Sequence, residues 1–146
     1  MKQLPTALFL ITIASCGFAQ PPLMWEQRVP GSVSTDPVLD SGTVYVGTSS
    51  GKLMGYNATT GAVVFNYTST AAIYSTPSVS GDLIIFGCDN NIVYAVNKST
   101  GNRVWSYIAG GKVRSAPTVY GGAAVSYTHL RAHETPEHLV CRLLLE

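Results

Sequence analysis

The stretch A-V-N-K-S-T-G-N-R-V-W, from Ala95 to Trp105, decides the fold because it belongs to a repeat. Trp105 lies forty residues after Phe65, which itself lies forty residues after Trp25. Other positions keep the same step without a gap, and these are Pro37, Pro77 and Pro117, Gly47 and Gly87, Asn57 and Asn97, Thr60 and Thr100, and Gly61 and Gly101. A fixed period of roughly 20–50 residues is typical of repeat architectures.

Each whole unit, 25–64 and 65–104, contains four short strand signals separated by turn residues. The predicted strands are Thr35–Leu39, Thr43–Val46 and Lys52–Tyr56, then Leu83–Phe86 and Ile92–Val96, and in each unit a last strand ending on Phe65 or Trp105. No segment between Gln20 and Ala124 has helical periodicity. The sequence therefore predicts an all-β fold, a partial β-propeller of four-stranded antiparallel blades with about two and a half repeats, which is too few to close a ring.

The motif Ala95-x-Asn97-x-x-Thr100-Gly101-x-x-x-Trp105 resembles the tryptophan-docking motif of the pyrroloquinoline quinone (PQQ)-like repeat family. The resemblance covers the chain from about Trp25 to Ala124. It implies that the indole stacks across a blade boundary near the alanine of the motif. The structural docking residues are then Ala95, Asn97, Thr100, Gly101 and Trp105, with Asn57, Thr60, Gly61 and Phe65 in the first copy.

Physical reasons for these residue types can be given separately. Gly61 and Gly101 suit a backbone with positive φ, and asparagine side chains such as those of Asn57 and Asn97 bond to nearby backbone in turns. The first copy of the motif departs from the pattern, since Gly55 replaces the alanine and Phe65 the tryptophan. Phenylalanine keeps the packing but loses the N–H donor, so we expect a weaker joint there.

The resemblance leaves two functions open. Members of the family include scaffolds of outer-membrane assembly, and this predicts an exported, truncated binding or assembly scaffold. The alternative is the N-terminal part of a PQQ-dependent quinoprotein dehydrogenase whose active site lies in missing blades. The adjacent cysteines, calcium-binding carboxylate and catalytic aspartate of those enzymes are not recognisable in this chain, so we predict no catalytic residue, no metal site and no PQQ binding. An unrelated propeller of the WD or kelch type is disfavoured because no Trp-Asp or Gly-Gly signature ends a repeat.

Composition restricts the partners. Only 12% of the residues are charged and the formal net charge is +1, which disfavours nucleic acid or an anionic membrane as a partner. We expect an unknown protein partner or the remaining blades of a longer propeller. Lys112 and Arg114 are interpreted as blade-edge charges, and the aspartates beside turns as solvated residues; these are Asp36, Asp40, Asp82 and Asp89.

The N-terminus has the features of a signal peptide spanning residues 1–19. Lys2 precedes an apolar core at Leu8–Ala14, and Gly17-Phe18-Ala19 gives a small-x-small cleavage pattern. The predicted product is secreted or periplasmic. A competing cut remains open, because Ile13-Ala14-Ser15-Cys16 resembles a bacterial lipobox with Cys16 as the lipid-bearing residue.

The repeat region is predicted to span residues 20–124, and the pattern stops at Val125. Residues 125–146 contain every histidine of the chain, namely His129, His133 and His138, and the i, i+4 pair invites a zinc assignment. Back-translation of this segment instead resembles a sequencing adapter. We therefore predict a non-native, adapter-derived tail and no metal site there.

Cys88 and three asparagines also have recognisable sequence contexts. Cys88 follows Gly87 at the end of a predicted strand, and we expect a half-buried structural thiol. Three N-glycosylation acceptor patterns begin at Asn57, Asn66 and Asn97. For Asn57 and Asn97 a structural role at the turn is sufficient to explain the residue.

Overall fold

The computed structural model describes residues 23–120 and 123–125, which form antiparallel sheets and, within these ranges, no helix. The first blade consists of β1 Val38–Asp40, β2 Thr43–Gly47, β3 Lys52–Asn57 and β4 Val63–Thr68. The second consists of β5 Ser78–Ser80, β6 Leu83–Gly87, β7 Ile92–Asn97 and β8 Arg103–Ile108. A third sheet begins with β9 Thr118–Tyr120 and β10 Ala123–Val125. The all-β, unclosed architecture predicted from the repeat is confirmed.

The two whole blades share one strand register. Gly55 pairs with Phe65 in the first blade, Ala95 pairs with Trp105 in the second, and an irregularity in pairing follows each pair. Phe65 and Trp105 are thus the third residues of β4 and β8 and occupy equivalent positions. The forty-residue step of the sequence is a step from one blade to the next.

The predicted ends of the last strand in each blade and the predicted start of the first strand were wrong. The last strand of each blade continues three residues beyond the aromatic residue, to Thr68 and Ile108, because these residues still pair with the neighbouring strand at Lys52 and Ile92. The first strand begins at Val38 rather than Thr35. Pro37 has no N–H to donate to a ladder, and the Thr35 hydroxyl accepts a hydrogen bond from the Gly47 amide instead.

Apolar side chains fill the space between blades. Successive side chains of a strand point to opposite faces of the sheet, so each blade presents one set of side chains to each of its two neighbours. The cluster between the first and second blades contains Tyr45, Leu53, Phe65, Ile73, Ile84, Phe86, Cys88, Tyr94 and Val96. A second cluster, which includes Ile85, Val93, Ala95 and Ala124, lies between the second blade and the third sheet. The blades are therefore held together by the burial of faces that neither could cover alone.

Gly47 and Gly87 end β2 and β6, although their spacing groups them with turn positions in the sequence. A Cβ added at Gly47 would lie 2.7 Å from Ile73 Cγ2, and one added at Gly87 would lie 2.6 Å from Val113 Cβ. Ile73 and Val113 are fully buried and belong to the segments that connect successive blades. Glycine recurs here because the connecting chain crosses the end of the strand at close range.

In the described part of the chain, no helix is long and apolar enough to cross a membrane.

Candidate functional site

Trp25 lies against the first blade, ahead of its first strand. Its indole Nε1 donates a hydrogen bond to the Ala58 carbonyl at 2.8 Å, and its ring stacks on Tyr56 with centroids 6.2 Å apart. Gly61 passes under the ring so closely that an added Cβ would lie 2.7 Å from Trp25 Cδ2. The N-terminal segment is therefore seated on the turn between β3 and β4, and Val29 and Val33 extend this contact over Val46, Met54 and Tyr56.

The turn that receives Trp25 is shaped by Asn57. The Asn57 Oδ1 accepts hydrogen bonds from the amides of Thr59 and Thr60, both at 2.9 Å, and Gly61 follows with a φ of 71°. The second blade repeats this geometry, since Asn97 Oδ1 accepts from Ser99 and Thr100 at 2.9 Å and Gly101 also has a φ of 71°. The residue types expected at these turn positions serve the backbone roles assigned to them.

The motif's first residue lies in the third strand of its blade. Ala95 pairs with Trp105 of the same sheet, and Gly55 pairs with Phe65. A Cβ at Gly55 would lie 2.7 Å from Phe65 Cβ, so this position has little room for a side chain. At the first blade the indole of Trp25 contacts the turn at Ala58 and Gly61 and stacks on Tyr56, which follows Gly55. Stacking on the peptide near the motif's first residue stays a prediction.

Phe65 does not reproduce the contact of Trp25. Phe65 is 6% exposed, and its ring packs edge-on against Tyr45 of its own blade, with centroids 5.8 Å apart. Gly101, the counterpart of Gly61, has no atom within 4 Å of an added Cβ. The joint between the first and second blades thus forms without an indole over the turn, and the weaker stability expected of it stays a prediction.

Trp105 presents a third version of this position. Its Nε1 is buried and has no hydrogen-bond partner among the described residues. Trp25 reaches a carbonyl thirty-three residues ahead, and the residue at that distance from Trp105 is His138, which lies outside the described ranges. The Trp105 ring packs against the cluster between the second blade and the third sheet, and its N–H donor is unpaired among the described residues.

Hydroxyl groups link the segments that lead into the first strand of each successive blade. Ser34 Oγ donates to the Ile73 carbonyl at 2.5 Å, and Ser75 Oγ donates to the Ser115 carbonyl at 2.7 Å. The Asp36 amide donates to Thr76 Oγ1 at 3.3 Å, and Ser78 Oγ donates to the Pro117 carbonyl. Each of these bonds spans 39 or 40 residues, so the polar contacts follow the repeat as closely as the apolar ones do.

One charged cluster does not follow the repeat, and the sequence pattern gave no signal for it. Arg114 donates from Nε and Nη2 to the two oxygens of Asp89 at 2.8 and 2.7 Å, and Lys112 Nζ lies 3.5 Å from Asp89 Oδ2. The guanidinium carbon lies 5.0 Å from the centre of the Tyr74 ring. The Arg114 hydrogen bonds hold the pKa of the Asp89 carboxyl below its ordinary value, and the charge of Lys112 acts in the same direction.

A second ion pair joins the first two blades. Lys98 Nζ lies 3.1 Å from Asp40 Oδ2, and the Lys98 amide donates to the Asp82 carbonyl at 2.8 Å. Asp40 and Asp89 therefore pair with cations, whereas the sequence-based interpretation treated both as solvated turn residues.

Cys88 is completely buried, which exceeds the half-burial expected from its place at the end of a strand. It lies in the cluster between the first and second blades, where removal from water raises the pKa of its thiol from 9.0 to about 11. A hydrogen bond from Ser69 opposes this rise, and the nearby Asp89 adds to it. The protonated thiol acts as a packing group here.

The three glycosylation patterns differ in accessibility. Asn66 is exposed on the outer strand β4, whereas Asn57 and Asn97 are half-buried and hold their turns through Oδ1. Glycosylation itself stays a prediction for all three.

Within residues 23–120 and 123–125, no group of three or more His, Cys, Asp or Glu side chains could hold a metal ion. The predictions for residues 1–19 and for 126–146, including His129, His133 and His138, lie outside the described residues.

Comparison with known proteins agrees with the blade geometry. The family model described as "Outer membrane protein assembly factor BamB" matches residues 20–134. The chain belongs to this PQQ-like repeat β-propeller family. A curated relative, the outer membrane protein assembly factor BamB of Nitrosomonas eutropha, is 41% identical over 64 residues, which is 44% of this chain and 16% of the relative.

Solved structures show the same fold. The crystal structure of BamB from Moraxella catarrhalis superposes with a TM-score of 0.62 at 24% identity, over 72% of this chain and 34% of that one. The computationally designed protein Ika8 superposes with a TM-score of 0.56 at 16% identity, over 62% of this chain and 28% of its own. The chain thus spans about a third of the length of the Moraxella protein.

Proposed function

We propose that this chain is the N-terminal part of an exported β-propeller that acts as a binding scaffold in the assembly of outer-membrane proteins. The observation that carries the proposal is the match to the BamB family over residues 20–134, together with two blades that repeat one register. A β-propeller fold does not by itself define a function. The family match therefore supports the role in outer-membrane assembly, and the repeated blades support the role as a scaffold.

Incomplete contacts at both ends support the proposal of a longer ring. Leu39 is 67% exposed in β1, although its counterparts Val79 and Val119 pack against inter-blade clusters. At the other end, the buried Trp105 Nε1 has no hydrogen-bond partner among the described residues, and a further blade could supply one. Docking by the motif residues Ala95, Asn97, Thr100, Gly101 and Trp105, and by Asn57, Thr60, Gly61 and Phe65, would then continue from blade to blade.

Recovery of the full transcript, followed by expression of the product in a Gram-negative host, tests the proposal. We expect further forty-residue units after Ala124 in place of the 125–146 tail, and cross-linking in cells should capture outer-membrane assembly proteins. A transcript that ends with residues 125–146 would contradict the tail prediction. The family match extends to residue 134, so the codons from 125 to 134 are the ones to inspect first.

The same material tests localisation and the alternative function. Mass spectrometry of the mature N-terminus distinguishes cleavage after Ala19 from lipidation at Cys16, and a full-length cytoplasmic product would contradict export. Adjacent cysteines, a catalytic aspartate and PQQ-dependent dehydrogenase activity in the complete protein would overturn the scaffold in favour of the quinoprotein enzyme.

A further inference from the structure

Tyr74, Asp89, Lys112 and Arg114, referred to below as the Arg114 cluster, form a charged and aromatic surface where the second blade meets the third sheet. Tyr74 is 39% exposed, and the side chains of Lys112 and Arg114 are 59% and 53% exposed. Asp89 is only 17% exposed, because both cations cover it. One carboxylate faces two cations, so the cluster presents a net positive charge to solvent.

The repeat itself shows that these charges are not required to join blades. The residues equivalent to Lys112 and Arg114 are Ser32 and Ser34 in the first connecting segment and Ala72 and Tyr74 in the second. Those two segments have no charged side chain at these positions, and they are held by apolar packing of Val33 and Ile73 and by hydrogen bonds such as the one from Ser34 Oγ to the Ile73 carbonyl. The Arg114 cluster is thus an addition to a joint that elsewhere forms without charged side chains.

Arg114 is held in position before any partner arrives. Asp89 engages Nε and Nη2, and Tyr74 covers one face of the guanidinium. A guanidinium has five N–H donors, so this arrangement leaves the Nη1 edge for another acceptor. An immobilised arginine beside a tyrosine loses little conformational entropy on binding, and these two residue types are enriched among the residues that dominate protein interfaces.

We propose that the Arg114 cluster is an interaction surface for a carboxylate-bearing, acidic segment of a partner protein. The partner's carboxylate bonds to the Nη1 edge of Arg114 and is attracted by Lys112, while Tyr74 supplies apolar contact beside it. This proposal rests on the proposed scaffold function, and it revises the interpretation of Lys112 and Arg114 as blade-edge charges.

The test is an NMR titration of the 15N-labelled full chain with an amidated peptide of alternating glutamate and glycine, with a glutamine–glycine peptide as the neutral control. We expect saturable shifts at the Arg114 Nε–H and at the amides of the cluster, and none with the neutral peptide. Lys112→Gln combined with Arg114→Gln should weaken binding about fivefold or more. Arg103→Gln changes the net charge on exposed β8 away from the cluster, and it should leave the affinity within about 1.5-fold.

Asp89→Asn separates binding from a purely structural role. Removing the internal carboxylate raises the net charge of the cluster, so the acidic peptide should bind about twofold more tightly. If the cluster only fastens the third sheet, the parent chain shows no saturable shift there, and Asp89→Asn lowers the free energy of unfolding without creating one. Lys112→Gln alone removes only the 3.5 Å ion pair with Asp89 and keeps both Arg114 hydrogen bonds. It therefore provides a folded variant if the double substitution unfolds the chain.

Three results would overturn the proposal: no saturable shift at the cluster, equal weakening by Arg103→Gln, or binding to phosphatidylglycerol vesicles through these residues without binding to the peptide. Such a result leaves the cross-linking test of the scaffold function intact. Conversely, a failed cross-linking test leaves peptide binding by this surface measurable.

Discussion

The indole Nε1 of Trp25 donates a 2.8 Å hydrogen bond to the carbonyl of Ala58, thirty-three residues along the chain. This bond fastens a segment that belongs to no described strand onto the turn that follows β3. Trp25 makes both a hydrogen bond and a ring contact with the turn, whereas Phe65 has no N–H donor and the Trp105 N–H has no partner among the described residues.

Trp25→Phe should reduce the free energy of unfolding of the full chain by about 1 kcal/mol more than Trp105→Phe. The first substitution removes a formed hydrogen bond and leaves the half-buried Ala58 carbonyl without its donor. The second removes a buried donor that has no partner among the described residues. Urea denaturation followed by circular dichroism measures the difference, and equal losses would contradict it.

Gly61→Ala and Gly101→Ala form a matched pair. Both glycines have a φ of 71°, so alanine should cost each site roughly 1–2 kcal/mol of backbone strain. Only the Cβ at position 61 meets an indole, at 2.7 Å, and displacing Trp25 should add roughly 1–3 kcal/mol. Thermal melts of the two variants test this, and a less stable Gly101→Ala protein would count against the assignment.

Gly87→Ala should destabilise the chain by roughly 2–3 kcal/mol, because its Cβ would lie 2.6 Å from Val113 Cβ in a fully buried contact. Gly110→Ala is the control, since no atom lies within 4 Å of its added Cβ and its φ is not positive. The free energy of unfolding of this control, measured by chemical denaturation, should lie within about 0.5 kcal/mol of the parent value. A neutral Gly87→Ala variant would show that the connecting segment is not packed on β6.

The buried Cys88 thiol should make stability depend on pH in the alkaline range. Its pKa rises from 9.0 to about 11 on folding, so between these values the folded state holds more protons than the unfolded state. Stability should therefore be complete below about pH 8.5 and fall as pH rises, with a slope of at most about 1.4 kcal/mol per pH unit from this group. Cys88→Thr places the residue found at the equivalent Thr48 and cannot titrate, so it should lose less stability from pH 8.5 to 10. Identical pH profiles would contradict a buried thiol.

Asn66 should be the preferred acceptor when the chain is secreted from a eukaryotic host. Its side chain is exposed on β4, whereas the Oδ1 atoms of Asn57 and Asn97 each accept two backbone hydrogen bonds. Asn66→Gln should abolish the mobility shift that a glycosidase removes. Persistence of that shift would show modification of a turn asparagine instead.

Most of the blade could be predicted from the sequence because its contacts repeat. The spacing of Phe65 and Trp105 located equivalent strands, and Asn57 and Gly61 fix a turn through local bonds that any copy of the motif can make. The seat of Trp25 on Ala58 and Gly61 was not predictable, because it depends on which neighbouring element the ring faces. The Arg114 cluster could not be predicted either, because Tyr74, Asp89 and Arg114 are separated in sequence and the equivalent positions of the other repeats hold different residue types.

The indole of Trp25 docks the N-terminal segment onto the first blade. Nuclear Overhauser effects from the Trp25 Nε1–H in the 15N-labelled full chain test it most directly. The structure predicts contacts to Ala58 and to the Gly61 α-protons. It also predicts that the Trp25 Nε1–H exchanges with solvent more slowly in the folded chain than in the denatured chain. An indole proton that exchanges freely and shows no contact with residues 58–61 would contradict the account.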